Sequence, residues 1–190
     1  MKIICITGAT SGVGKTRLAE MFLSHLDNWA ACKVTTCIGG VALRCPRGRK
    51  SCGVCSSLKK DYEIEEETVP VKSSAAVPFP PPKIWRVCLG HDTAHSKDTQ
   101  RLLRAGAKAV FWIKTKPKFL KKSVGIAIKR LRKYRGIIFE GNHVLEVLNP
   151  DVAIMIMSKD GKIKKSAKEV MDKVDIFILL RRKLRTQVRR

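Results

Sequence analysis

The chain is expected to fold as an α/β protein, a mostly parallel sheet with helices on both faces. Three observations predict this. Short, continuous apolar runs recur along the chain, the form taken by strands buried on both sides. Amphipathic stretches with helical spacing lie between those runs. The first run leads at once into a glycine-rich turn and then a helical pattern, the strand–loop–helix order of a parallel α/β unit.

The elements follow in order. Residues 2–7 (KIICIT) read as a buried first strand, β-branched and apolar. Residues 8–14 form a loop. Residues 15–26 carry Leu18, Ala19, Met21, Phe22 and Leu26 at helical spacing, and Asp27-Asn28 ends the helix. Residues 31–36 (ACKVTT) make a second strand. From 38 to 83 no period holds. A Cys-, Arg- and Gly-rich stretch is followed by an acidic run (Asp61, Glu63, Glu65, Glu66, Glu67) and by prolines at 78, 80, 81 and 82. A segment of this length without regular elements reads as a functional insertion, with a hairpin expected around 62–71. Order resumes with a strand at 84–89 (IWRVCL), then a helix over 97–105 that Ser96 caps and Gly106 stops. Next come a strand at 109–114 and a helix from Pro117 to about 134, with proline suited to its first turn. A strand at 136–140, a short helix at 144–148, a strand at 152–157, a helix at 166–173 and a strand at 175–180 complete the pattern. The expectation is one domain over 1–180, about eight strands, an insertion at 38–83 after the second strand, and a basic tail over 181–190.

Composition sets the outer bounds. With 190 residues, 44% of them apolar, the chain is large enough for a core of its own. Its longest apolar runs are far shorter than the ~20 residues of a membrane-spanning helix, and no leader pattern precedes the first strand, so a cytoplasmic protein is expected. The net charge of +23 is compatible with an anionic partner or with a solvated basic surface. Aromatic residues make up 6% and do not interleave with the charge, which argues against a stacking platform for single strands.

The strongest signal is at 9–16. Ala9-Thr10-Ser11-Gly12-Val13-Gly14-Lys15-Thr16 matches the Gly-x4-Gly-Lys-Ser/Thr phosphate-binding loop, with Ala at the first position and Gly8 beside it. Gly12 and Gly14 let the backbone curl so that successive N–H groups converge on a phosphate. The following helix adds the partial positive charge of its N-terminus. In such a loop Lys15 bridges the outer phosphates and the Thr16 hydroxyl ligates Mg²⁺. The nucleotide-contacting set is therefore Ser11, Gly12, Val13, Gly14, Lys15, Thr16 and Arg17. A second Mg²⁺ ligand is expected at the end of another strand, where parallel sheets bind ligands. Glu140, closing the run at 136–139 and followed by Gly141, is the first candidate; Asp92 and Asp98 are the next two. Together with Lys15 these form the candidate catalytic set.

With those residues in place, the chain resembles the SIMIBI class of P-loop NTPases. Residues 10–16 are similar to the loop of cobyrinic acid amide synthases and dethiobiotin synthetases, whose magnesium-binding glutamate sits in a strand-end Glu-Gly like Glu140-Gly141. A closer resemblance is to the molybdopterin-guanine dinucleotide biosynthesis protein B (MobB) family. It rests on Ser96-Lys97-Asp98-Thr99, then Ala105-Gly106-Ala107, then the strand at 109, and on Ile137-Ile138-Phe139-Glu140-Gly141. The likeness covers 1–38 and 90–142. It implies GTP or ATP binding, weak hydrolysis, a homodimer and a protein partner in assembly or delivery of a metal-containing cofactor. Ser96 stands where the family has Gly, and Asn142-His143 replaces its usual continuation. Two other functions compete: a small-molecule kinase or ligase of the dethiobiotin synthetase type, and a nucleotide-gated RNA-binding protein. Ser158-Lys159-Asp160 lacks the Asn/Thr-Lys-x-Asp spacing that selects guanine in many GTPases, which leaves the base open.

Seven cysteines occur, five of them between 32 and 55. Cys5 and Cys88 lie in apolar strands and read as core residues. Cys37-x7-Cys45-x6-Cys52-x2-Cys55 supplies four thiols, with Cys32 as a substitute, and Cys52-Gly53-Val54-Cys55 is a tight pair of the kind that grips Zn²⁺ or a [4Fe–4S] cluster. His91 and His95, beside Asp92, read as polar loop residues. Basic residues gather at 114–135, ten Lys or Arg with no acid, and in the tail; with no nucleic-acid motif beside them, nucleic acid is the less favoured partner. The loop after a second strand is a common place for nucleotide-sensing switches, so a metal there would couple to nucleotide. If it does, Cys52→Ser with Cys55→Ser shifts nucleotide affinity and hydrolysis rate relative to the parent; equal values for the two proteins exclude the coupling.

Overall fold

The computed structural model describes residues 1–37, 58–68 and 98–179. Seven strands form one sheet: β1 (Lys2–Gly8), β2 (Trp29–Thr36), β3 (Tyr62–Glu67), β4 (Val110–Thr115), β5 (Gly136–Glu140), β6 (Val152–Met157) and β7 (Ile176–Leu179). Their order is β3-β4-β2-β5-β1-β6-β7, and every neighbouring pair is parallel except β3 with β4. Helices α1 (Lys15–Leu23) and α2 (Asp98–Arg104) pack on one face. Helix α3 (Leu120–Leu131) and the 3₁₀ turn Asn142–Glu146 pack on the other. A last short helix, α4 (Lys165–Lys168), precedes β7. The fold is the expected α/β sheet with helices on both faces, consistent with a Rossmann-like or P-loop type fold.

Alternation along the strands sorts the core into two layers. Cys5, Cys32, Phe111, Ile113, Ile137, Phe139 and Met155 point toward α3, whose Leu120, Val124, Ala127 and Leu131 recur at helical spacing. Ile6, Ala31, Val110, Ile138 and Ile156 point toward α1 and α2, meeting Ala19, Leu23 and Leu102. β1, β5 and β6, and the first halves of β2 and β4, are thus apolar on both sides, which is why they read as continuous runs.

Several sequence-based bounds move, each for a local reason. α1 stops at Leu23 rather than 26: the Ser24 hydroxyl donates to the Met21 carbonyl (2.8 Å), and Asn28, at φ 60°, turns the chain into β2. The helix expected from Pro117 opens as a 3₁₀ turn, Pro117–Phe119, before α3. The helix expected at 144–148 is the 3₁₀ turn Asn142–Glu146, and that at 166–173 divides into α4 and the 3₁₀ turn Met171–Lys173, where i→i+3 bonds tighten the backbone. Where a hairpin was expected around 62–71, the described residues hold one strand, β3, laid antiparallel on β4. Two of its acids are matched to a cation and a hydroxyl: Glu65 accepts from Lys114 Nζ at 2.5 Å, and Glu67 accepts from Thr99 Oγ1 at 2.6 Å. The strand expected at 84–89 and the tail 181–190 lie outside the described residues, as does Cys88. Among the described residues no helix is long and apolar enough to cross a membrane.

Gly136 opens β5 directly under the Trp29 indole; a Cβ there would lie 2.5 Å from three ring carbons. Gly136→Ala therefore overpacks a buried site and is expected to cost about 1–3 kcal/mol. Thermal denaturation should show Tm lowered by roughly 3–10 °C.

Candidate phosphate and divalent-ion site

The candidate site sits at the C-terminal edge of the sheet, where β1 runs into α1. Gly12 and Gly14 have φ of +71° and +108°, so the loop uses left-handed backbone at both glycines, flanking Val13. The loop folds back over Gly8, where a Cβ would fall 2.5 Å from Val13 Cγ1 and 3.1 Å from Lys15 Cγ. The close approach is therefore at Gly8, while Ala9 is fully buried and held by backbone bonds: its N–H donates to Ile156 O (2.8 Å) and its carbonyl accepts from Lys164 N (2.8 Å). That explains why Ala suffices at the first position of the motif. Gly14 precedes α1 without any capping side chain, so the first-turn amides keep no side-chain acceptor at that position. Lys15 opens α1 and is half-buried, whereas Ser11 and Arg17 are exposed.

Across the edge stands β5. Residues 6 and 140 are register partners, which sets the end of β5 beside the last turn of β1. Thr16 and Glu140 are both buried, at 8% and 6% exposure, and the Thr16 hydroxyl lies 3.0 and 2.9 Å from the two Glu140 carboxylate oxygens. One hydroxyl proton serves two oxygens. Gly141 is held at φ +152°, and a Cβ there would stand 2.8 Å from the Val34 carbonyl, so the chain can leave β5 in this direction only through glycine. Asn142 follows, buried, and its amide pairs with the backbone of Gly8: Gly8 N–H donates to Oδ1 and Nδ2 donates to Gly8 O, both at 3.1 Å. A side-chain amide thus continues the β1–β5 ladder after β5 has ended.

The remaining predicted residues are placed as follows. Asp98 opens α2 and is ion-paired with Lys33, with Arg101 3.7 Å away. Lys33 is the register partner of Glu140 on β2, so Asp98 belongs to the same rim as Glu140, reached through a lysine. Arg101 in turn grips Glu20 through Nε and Nη2, both at 2.8 Å, tying α2 to α1. Cys37 is buried at the end of β2, its N–H donating to Thr115 O (2.8 Å). Cys45, Cys52, Cys55 and Asp92 lie outside the described residues. Among the described residues no group of three or more His, Cys, Asp or Glu is disposed to hold a metal. Cys32 is interior, packed with Cys5; burial pushes the Cys5 thiol up to about 12 and raises Cys32 as well, so both are neutral core thiols and Cys32 is no substitute ligand.

Sequence reasoning did not select Lys33, Lys114 or Asn142. The lysines left a trace, because a charge inside an otherwise apolar strand needs a reason. Lys114 is buried, stacked 4.3 Å from the Trp112 ring centre as well as bonded to Glu65. Asn142 left none, since its partner is 134 residues away. No family model matches this chain, and no curated protein or solved structure does either.

Replacing Asn142 by Ala strands a buried N–H and a buried C=O at Gly8. The expected cost is about 2–4 kcal/mol, seen as a Tm drop of roughly 5–15 °C. A drop no larger than that of an exposed Asn→Ala change would show that the clamp contributes little.

Proposed function

We propose that this chain is a P-loop NTPase of the SIMIBI class, similar to the MobB family, which binds GTP or ATP with Mg²⁺ and hydrolyses it slowly. The observation that carries the reading is the buried Thr16–Glu140 pair facing the glycine-rich loop. A carboxylate buried in protein is costly unless it is paired or holds a cation, and here one hydroxyl is its donor among the described residues. The donor set fits Mg²⁺, a hard ion that takes oxygen ligands from one or two protein groups and from phosphates. Thr16 and Glu140 would hold it, and it would supply charge neutralisation at the outer phosphates. The backbone amides of 12–16 and Lys15 bind the phosphates, and the packed edge over Gly8 keeps the loop in one shape.

In this reading the protein serves assembly or delivery of a metal-containing cofactor as a cytoplasmic homodimer with a protein partner, and the cysteines at 37, 45, 52 and 55 carry Zn²⁺ or a [4Fe–4S] cluster. A second reading draws on Lys33, aligned with Glu140 on the neighbouring strand and ion-paired with Asp98. A kinase or ligase of the dethiobiotin synthetase type requires an anionic acceptor next to the outer phosphate, and such an acceptor would have to share Lys33 with Asp98. Phosphate release without any added acceptor separates the two, since a transferase waits for its acceptor.

The test is nucleotide titration with and without Mg²⁺. Lys15→Ala should weaken ATP and GTP at least tenfold, about 1.4 kcal/mol or more. Glu140→Gln should keep metal-free nucleotide binding and lose the gain that Mg²⁺ brings. Unchanged titrations for Lys15→Ala would overturn the reading.

A further inference from the structure

The opposite face of the sheet carries a feature that the nucleotide site does not use. α3 buries Leu120, Ser123, Val124, Ala127 and Leu131. Its outward side, at i, i+3, i+7 and i+10, presents Lys122, Gly125, Lys129 and Arg132, with Lys121 and Lys133 alongside. The five cations are exposed and span about 18 Å of helix and its continuation.

Two observations set this stripe apart from an ordinary solvated helix. First, its charge is not neutralised. Some exposed lysines elsewhere meet acids, as Lys2 meets Asp151 and Lys162 meets Asp160, and others, such as Lys108 and Lys168, do not; what distinguishes this segment is that, among the described residues, no ion pair involves any of the eight Lys and Arg that lie together between 118 and 135. Second, its middle residue is glycine without an internal reason. Gly125 has no positive φ, and a Cβ there would meet nothing within 4 Å. A mid-helix glycine costs about 1 kcal/mol relative to alanine, and here its one structural effect is to let another surface approach the helix backbone between flanking cations.

We propose that the outward face of α3 is a docking surface for the phosphodiester backbone of a nucleic-acid duplex. Unpaired cations in a row neutralise successive phosphates and release counterions, and Gly125 lets the backbone come close. Three features favour this partner. A single strand would call for exposed aromatic platforms, but the nearby rings, Tyr62 and Tyr134, are part-buried and lie under lysines. A membrane helix would need its apolar side free, and α3 spends that side on the core. A protein partner would call for apolar or aromatic anchors, and the stripe has none. The surface lies across the sheet from α1, so the proposal stands apart from the nucleotide reading.

The experiment is fluorescence anisotropy with short RNA and DNA duplexes over a range of salt, using the full chain without nucleotide. At low salt the parent should bind a duplex more tightly than the matching single strand. The variant Lys122→Gln, Lys129→Gln, Arg132→Gln should lose at least tenfold in affinity, with the slope of log K against log salt shallower by about 2–3. A control variant, Lys108→Gln, Lys165→Gln, Lys168→Gln, removes equal charge away from α3 and should lose clearly less. Gly125→Gln should raise Tm yet weaken binding several-fold. The proposal is overturned if the parent binds no duplex at low salt, if the control loses as much as the stripe variant, if single strands bind more tightly, or if only phosphatidylserine vesicles respond to the stripe.

Discussion

Everything at the candidate site depends on the pairing of β1 with β5. Their parallel register sets Ile6 against Glu140, and that places a strand-end carboxylate beside the first turn of α1, where Thr16 meets it. Period-two alternation makes this pairing unforgiving. Phe139 faces the α3 layer and Glu140 the α1 side, so a slip of one residue would put the carboxylate into the apolar core and the ring at the rim. Gly141 and Asn142 then lock the exit. The glycine passes under Val34 where no side chain fits, and the amide saturates Gly8. The loop over 9–14 is therefore anchored at its base by a residue that belongs to another strand.

The sheet also separates two treatments of positive charge. On the α1 and α2 side, three cations are drawn inward and met, Lys33 by Asp98, Arg101 by Glu20, and Lys114 by Glu65 and the Trp112 ring, while Arg17 and Arg104 stay exposed. Desolvated charge requires such partners. On the α3 side the cations stay in water, where hydration suffices and no partner is needed for folding. The absence of acids along 118–135 thus carries information that the same absence beside a buried cation could not, because stability does not demand a partner for a cation in water. A net charge of +23 says only that an excess exists; the fold assigns part of that excess to one helix face.

Elements whose cause is local were legible in the sequence. β6 was read to the residue, and β5 likewise, because each is a continuous apolar run with a clear boundary, Pro150-Asp151 before β6 and Glu140-Gly141 at the end of β5. The strand–loop–helix turn was legible because its glycines, lysine and threonine fall within eight consecutive residues, and Gly12 and Gly14 take the left-handed backbone that such a turn needs. β3 was obscured. Tyr62 and Ile64 alternate with glutamates as a half-buried edge strand should, but the charges dominate the segment and their partners, Lys114 and Thr99, come more than thirty residues later. The short helices misled for another reason: apolar spacing predicts which side faces the core, yet does not distinguish α from 3₁₀ over one turn. Asn142 could not be read at all, because what it caps is chosen by strand order.

The contrast between Asn142 and Glu140 bears most directly on what the edge is for. Both are buried polar residues within three positions of each other. Asn142 is matched, donor to acceptor and acceptor to donor, by one glycine, as a residue with a purely structural task should be. Glu140 is not matched in this way. An ionised carboxylate can accept about four hydrogen bonds, and the Thr16 hydroxyl has one proton to offer. If architecture alone were served, glutamine or a second amide would satisfy the position at lower cost, since burying a charge is dearer than burying an amide. A carboxylate kept buried and under-donated beside a hydroxyl, next to the glycine-rich loop, is an arrangement that a divalent cation would complete, and this is why the proposed function rests on that pair and not on the loop alone.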